Sequence, residues 1–89
     1  CDTASVTFSQ DISGIIAQQC LLCHNDNNAT AGLNLEGHAK LSAAALLNTF
    51  MDRVERSVGD QLLMPPNGPL SDCDQSKLRA WIAEGAPNN

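Results

Sequence analysis

The sequence predicts an all-α domain, on three observations. Apolar residues recur at three- and four-residue steps along several stretches, the spacing of one helix face. No stretch is rich in the apolar-polar alternation of a strand. The periodic stretches are separated by segments rich in Asn, Gly and Pro, which end helices and turn the chain. Residues 1–89 form one domain, with no internal repeat or low-complexity tract.

The first helix is expected from "TFSQDISGIIAQQCLLCH", with Thr7 or Ser9 as its N-cap and Asp11 in the first turn, where the helix dipole favours negative charge. Phe8, Ile12, Ile15, Ile16 and Cys20 trace its apolar face. The helix is expected to carry Cys20 and Cys23 one turn apart near its C-terminal end, with His24 four residues after Cys20. Residues 25–37, "NDNNATAGLNLEG", read as a long loop whose apolar anchors are Leu33 and Leu35. From His38 to Val58, Leu41, Leu47, Met51, Val54 and Val58 trace a second helical face, with a break expected between Ala45 and Asn48. "GDQLLMPPNGPLSD" ends that region. A last helix begins at Ser71, where "SDCD" resembles a capping box, and runs through Leu78, Trp81 and Ile82 to Gly85; Pro87 bars its continuation.

A chain of 89 residues is small for a self-sufficient apolar core and calls for a staple. Phe8, Phe50 and Trp81 are its only aromatic residues, a scarcity that fits a core built around a bulky apolar cofactor. Ten acidic against five basic side chains give a net charge of −5, which disfavours nucleic acid and anionic membranes and leaves a basic or polar protein partner. No apolar run reaches the roughly 18 residues of a membrane span, and no signal peptide is seen. A soluble domain is expected, with excision from a longer precursor left open.

Four cysteines stand at positions 1, 20, 23 and 73. In "QQCLLCHND" Cys20, Cys23 and His24 are close enough for a zinc knuckle, a dithiol redox pair or covalent haem attachment. Four-cysteine zinc needs a second close pair, which Cys1 and Cys73 do not form. A thioredoxin-type pair needs a βαβ setting, absent from this pattern. Cys-x-x-Cys-His is the attachment signature of c-type haem, with the histidine as one axial ligand. If Cys20 and Cys23 are consumed there, Cys1 and Cys73 remain; a disulfide between them implies an oxidising compartment. Lipidation of Cys1, leaving Cys73 free, is the alternative.

A haem that carries electrons has both axial positions filled, and Met51, Met64 and His38 are the candidates for the second. Met51 lies on an apolar helical face and reads as core. His38 opens a helix after Gly37 and reads as a surface or capping residue. Met64, in "LLMPPNG", sits on a segment stiffened by proline, where a thioether is held at small ordering cost. Met64 is the expected ligand.

With these residues in view, the chain resembles a small class I c-type cytochrome, and most closely the short monohaem domains of Bacteroidetes and planctomycete proteins. The resemblance rests on "VTFSQDI", "CLLCH", "AGLNLEGHAKL", "LLMPPNGPLSDCD" and "WIAEGAPNN", and covers nearly the whole chain. It implies three to five short helices wrapped around one covalently bound haem c, with the terminal helices packed together. It further implies thioethers at Cys20 and Cys23, His24 and Met64 as axial ligands, and a disulfide joining Cys1 to Cys73. Gly14 stands where such domains often carry proline, so the first helix is expected to begin differently. His38 stands where an aromatic is common, which leaves a pH-dependent role open. Many class I cytochromes orient the histidine through the carbonyl of a following proline. Loop 25–37 has none, so a backbone carbonyl in the region of Ala31 to Leu33 is expected to replace it.

The function so implied is outer-sphere, one-electron shuttling between redox proteins, in the periplasm or another extracytoplasmic space, by a monomer without membrane insertion. The expectation is of no enzyme, because a filled sixth site leaves no place for substrate. A gas- or ligand-binding sensor with a displaceable distal ligand is the alternative. Leu21 and Leu22 are expected either to dock a partner or to pack locally. Donors for the haem propionates are few: Arg53, Arg56, Lys40 and Trp81, of which Trp81 reads first as core.

Overall fold

The structure, a computed structural model, describes residues 1–21, 24–29, 32–57, 59–65 and 68–89. Thr7 starts the first helix: its hydroxyl accepts from the Gln10 N–H at 3.1 Å, while the Asp11 carboxylate accepts from the Thr7 N–H at 3.1 Å. This reciprocal pairing satisfies donors that a helix start otherwise leaves orphaned. The opening turn, Phe8–Ile12, is π-helical and runs without a break into α1, Ser13–Gln19. The altered start expected near Gly14 is therefore a wider turn that ends two residues before it.

After the loop come α2, His38–Ala45, and α3, Asn48–Val54, separated at Leu46 and Leu47 as the sequence pattern predicts. Val58, assigned to the same helical face, lies outside the described residues. The last helix, α4, Asp72–Ala83, is capped by Ser71, whose hydroxyl accepts from the Asp74 N–H at 3.1 Å. It ends in a Schellman motif: the Gly85 N–H reaches the Ile82 carbonyl at 2.9 Å and the Ala86 N–H the Trp81 carbonyl at 3.0 Å. Gly85 makes this turn at φ +93°, a backbone angle that residues with a Cβ rarely adopt. No strand is present among the described residues, only an isolated bridge between His24 and Ala29.

Ile12, Leu41, Leu78 and Trp81 are fully buried and bring the opening turn, α2 and α4 into one core. The terminal helices are also tied by polar and covalent links. Lys77 on α4 pairs with Asp11 at 3.1 Å, and the Cys1 and Cys73 sulfurs stand 2.09 Å apart, with Cα atoms at 5.7 Å. The Thr7 N–H and then Lys77 hold the Asp11 carboxyl below its ordinary value.

The C-terminal tail closes over this core. The Asn89 side chain and backbone carbonyl accept from the N–H groups of Phe8 and Ser9 at 2.8 and 3.0 Å. Trp81 donates its indole N–H to the Pro87 carbonyl at 2.9 Å. His38, expected at the surface or as a cap, is half-buried: its Nε2 lies 2.8 Å from the Ala86 carbonyl, and its ring meets Phe8 edge-on at 5.0 Å. Ala86 is itself buried, so its carbonyl needs a protein donor, and His38 is within reach. Among the described residues no helix is long and apolar enough to cross a membrane.

Candidate functional site

An apolar cavity of about 350 Å³ opens beside the core, bounded by Ala44 of α2, Phe50 and Val54 of α3, Leu78 of α4 and the loop residues Leu33 and Leu35. Interiors normally pack to the density of organic crystals and leave few voids larger than a water. A cavity of this size is in the range of small-molecule and cofactor sites, which are apolar with a few convergent polar groups. Here Cys20, His24 and Met64 converge on the space, with the polar residues Gln19, Thr49 and Arg53 also in its lining. Residues 40 positions apart thus meet at one apolar space.

Of the described residues of the Cys-x-x-Cys-His segment, neither Cys20 nor His24 lies within a helix, although the sequence pattern carries the helix through them. Helix α1 ends at Gln19, Cys20 is its C-cap, and His24 sits in the extended bridge to Ala29. The end is set by local bonding: the Leu21 N–H turns back to the Ile16 carbonyl at 3.0 Å, and the Asn25 side chain caps the Leu21 carbonyl. One helix-like bond survives, from the His24 N–H to the Cys20 carbonyl at 3.1 Å, and keeps the two residues adjacent. Cys23 and Leu22 lie outside the described residues, so the second expected thioether is not placed. Leu21 is half-buried and packs against the core, the local-packing alternative.

His24 is held on several sides. Its carbonyl accepts from the Leu35 N–H at 2.8 Å, and its ring Nδ1 lies 2.9 Å from the Leu33 carbonyl. A carbonyl only accepts, so Nδ1 is the protonated nitrogen and Nε2 keeps its lone pair. This is the orientation a metal-ligating imidazole needs. The loop holding Leu33 is itself pinned by Asp26, which accepts from Asn34 at 2.7 Å and Lys40 at 2.8 Å. Those bonds, Lys40 first, bring the Asp26 carboxyl down to about 2.

Met64 is fixed differently. Its N–H donates to the Arg53 carbonyl at 3.0 Å, and the preceding Leu63 is buried. Asp60 organises the approach by accepting from the Leu62 N–H at 2.8 Å and from Arg56 at 3.1 Å. Pro66, part of the expected stiffening, lies outside the described residues. Met51 packs against the core and does not line the cavity, and neither does His38.

Burial pushes the Cys20 thiol up to about 11, so it stays protonated at neutral pH. That is the reverse of a redox-active or zinc-binding cysteine, whose thiolate is stabilised. Among the described residues no three His, Cys, Asp or Glu side chains converge as a metal-ion cage. The groups that could hold a cofactor at this space are the Cys20 thiol, the His24 imidazole and the Met64 thioether.

Sequence reasoning gave Leu47 and Val54 only as one helical face and Arg53 only as one of several donors, and did not place Thr49 or Phe50 at the site. Leu47, Phe50 and Val54 line the cavity with Thr49 and Arg53, at three- and four-residue spacings. Periodicity marks such a face as apolar but does not say whether protein or ligand covers it. Neither a protein-family model, nor a curated protein, nor a solved structure matches this chain.

Proposed function

We propose that this chain is a monohaem c-type cytochrome of class I fold that passes single electrons between protein partners in an extracytoplasmic, oxidising compartment. One observation carries the reading: Cys20, the imidazole of His24 and the thioether of Met64 line the same apolar cavity. Haem c, when bound, supplies a one-electron iron couple.

The chain's own residues do the rest. Cys20 and Cys23 would hold the haem covalently, and His24 Nε2 and Met64 Sδ would bind its iron. The Leu33 carbonyl holds the imidazole and the Arg53 carbonyl holds the backbone of Met64, so both donors are anchored by the fold. Leu33, Leu35, Phe50 and Val54 keep water from the site. At its edge, Leu33 and Leu47 are more than a third exposed. They make a small apolar patch suited to weak, transient docking.

The test is covalent mass and ligand binding on the purified protein. Haem mass should remain on the denatured chain, and the ferrous form should resist carbon monoxide. Extraction of haem by acidified organic solvent removes the c-type reading, and rapid, complete carbon monoxide binding turns the protein into a sensor.

A further inference from the structure

The chain has five basic side chains besides its histidines, Lys40, Arg53, Arg56, Lys77 and Arg79. Four are committed within the protein. Lys40 pairs with Asp26 at 2.8 Å, Arg56 with Asp52 at 2.8 Å and Asp60 at 3.1 Å, Lys77 with Asp11 at 3.1 Å, and Arg79 with Glu55. The Trp81 indole is also spent, on the Pro87 carbonyl. Arg53 alone has no ion pair among the described residues, and it alone of the five lines the cavity.

Arg53 is half-buried as a residue and lines an apolar space, so its guanidinium donors are available to a ligand there instead of to a carboxylate of the protein. Asp60 feels the charge of Arg53 but is held by the Leu62 N–H and Arg56. Thr49, one turn earlier on the same face of α3, lines the cavity as well and is exposed, which brings a hydroxyl to the solvent side of the same wall. A guanidinium with a hydroxyl beside it is a carboxylate-binding pair, and Arg binds carboxylate bidentately.

We infer that Arg53, assisted by Thr49, anchors a carboxylate of the cavity's ligand: on the haem reading, on which this inference rests, a propionate. Arg53 then serves the site twice. Its side chain holds the ligand's anionic edge, and its backbone carbonyl holds the Met64 N–H. The two roles separate by mutation, since a side-chain change leaves the carbonyl in place.

The experiment uses the holoprotein, its Arg53→Gln and Arg53→Lys variants, and Thr49→Val. Three readouts are taken: haem mass on the denatured chain, the near-infrared band of ferric iron–thioether ligation, and the propionate bending modes in resonance Raman. Arg53→Gln should keep the haem mass and the thioether band, shift a propionate mode and lower the reduction potential, since a cation beside the site is gone. Arg53→Lys should retain most of the potential but not the bidentate mode, and Thr49→Val should give a smaller shift of the same mode. Propionate modes and potential that stay put in Arg53→Gln, with haem and thioether band intact, overturn the inference and leave the electron-transfer reading standing. Absence of covalent haem from the wild-type chain overturns both.

Discussion

His24 Nδ1 lies 2.9 Å from the carbonyl oxygen of Leu33, nine residues later in the chain. The bond commits the imidazole proton to the protein side of the ring and leaves Nε2 as the available donor. The loop that carries Leu33 is anchored on its inner side by buried Leu35, and on its outer side it is tied at the surface by Asp26 with Asn34, Glu36 and Lys40. The orientation of the ring thus depends in part on a surface network, and that dependence can be tested.

Acid should loosen the loop before it unfolds the domain. The Asp26 carboxyl is lowered from 3.8 to about 2. A depressed carboxylate stabilises the fold above its unfolded value and loses that contribution as pH falls through its folded value. Between pH 3.8 and about 2, the exchange protection of the Leu35 and Glu36 amides, which donate to the His24 carbonyl and the Asn34 side chain, should fall ahead of that of Leu78 and Trp81. Asp26→Asn should show fast exchange in the loop already at neutral pH. Equal protection of loop and core throughout the acid range contradicts this.

If the chain holds haem as proposed, Met64→Ala should open the iron to exogenous ligands and lower the reduction potential, because the thioether is lost from the cavity while the core is untouched. Met51→Leu should leave the spectrum unchanged and alter stability by less than about 1.5 kcal/mol, the usual cost of a volume-conserving core swap. Spectral titration with imidazole and urea melts of both variants check the pair. The opposite pattern makes Met51 the ligand.

Serine at Cys1 and Cys73 should cost roughly 4 kcal/mol by the chain-entropy model, since the bridge spans 72 residues of sequence. Zero reactive thiols from these positions in the unreduced, denatured protein accompanies that loss. One free thiol with acyl mass on Cys1 means that the residue is lipidated and the bridge does not form.

Gly85→Ala should destabilise by about 1 kcal/mol, because the Schellman turn demands a positive φ at this position. A Cβ built there meets no atom within 4 Å, so the cost is one of backbone conformation, without a clash. Gly14→Ala, inside α1 with equally open surroundings, should stabilise instead, as helix propensity favours alanine. Thermal melts that move both variants the same way argue against this account.

Local chemistry was legible without the fold. Thr7 or Ser9 and Ser71 as caps, Gly85 as the stop and the break between Ala45 and Asn48 follow from residues within one or two turns of each other, whereas the carbonyl near Ala31 to Leu33 was implied by the resemblance alone. The end of α1 was not legible. Periodicity carried it through Cys23, whereas the Asn25 cap and the turn back to Ile16 stop it at Gln19.

By itself, then, the sequence determined the helices, their caps and the types of donor, because those depend on short-range periodicity and side-chain chemistry. Only the tertiary structure decided which donors share a space. It set Met64 beside His24 and left Met51 in the core, although both methionines follow apolar residues. It tied His38 to Ala86, 48 residues away, and left Arg53 facing the cavity while its neighbour Arg56 pairs with Asp52 and Asp60. Those outcomes follow from packing between segments distant in the chain, where a shift of one helical turn changes which side chain faces the ligand and which faces the protein.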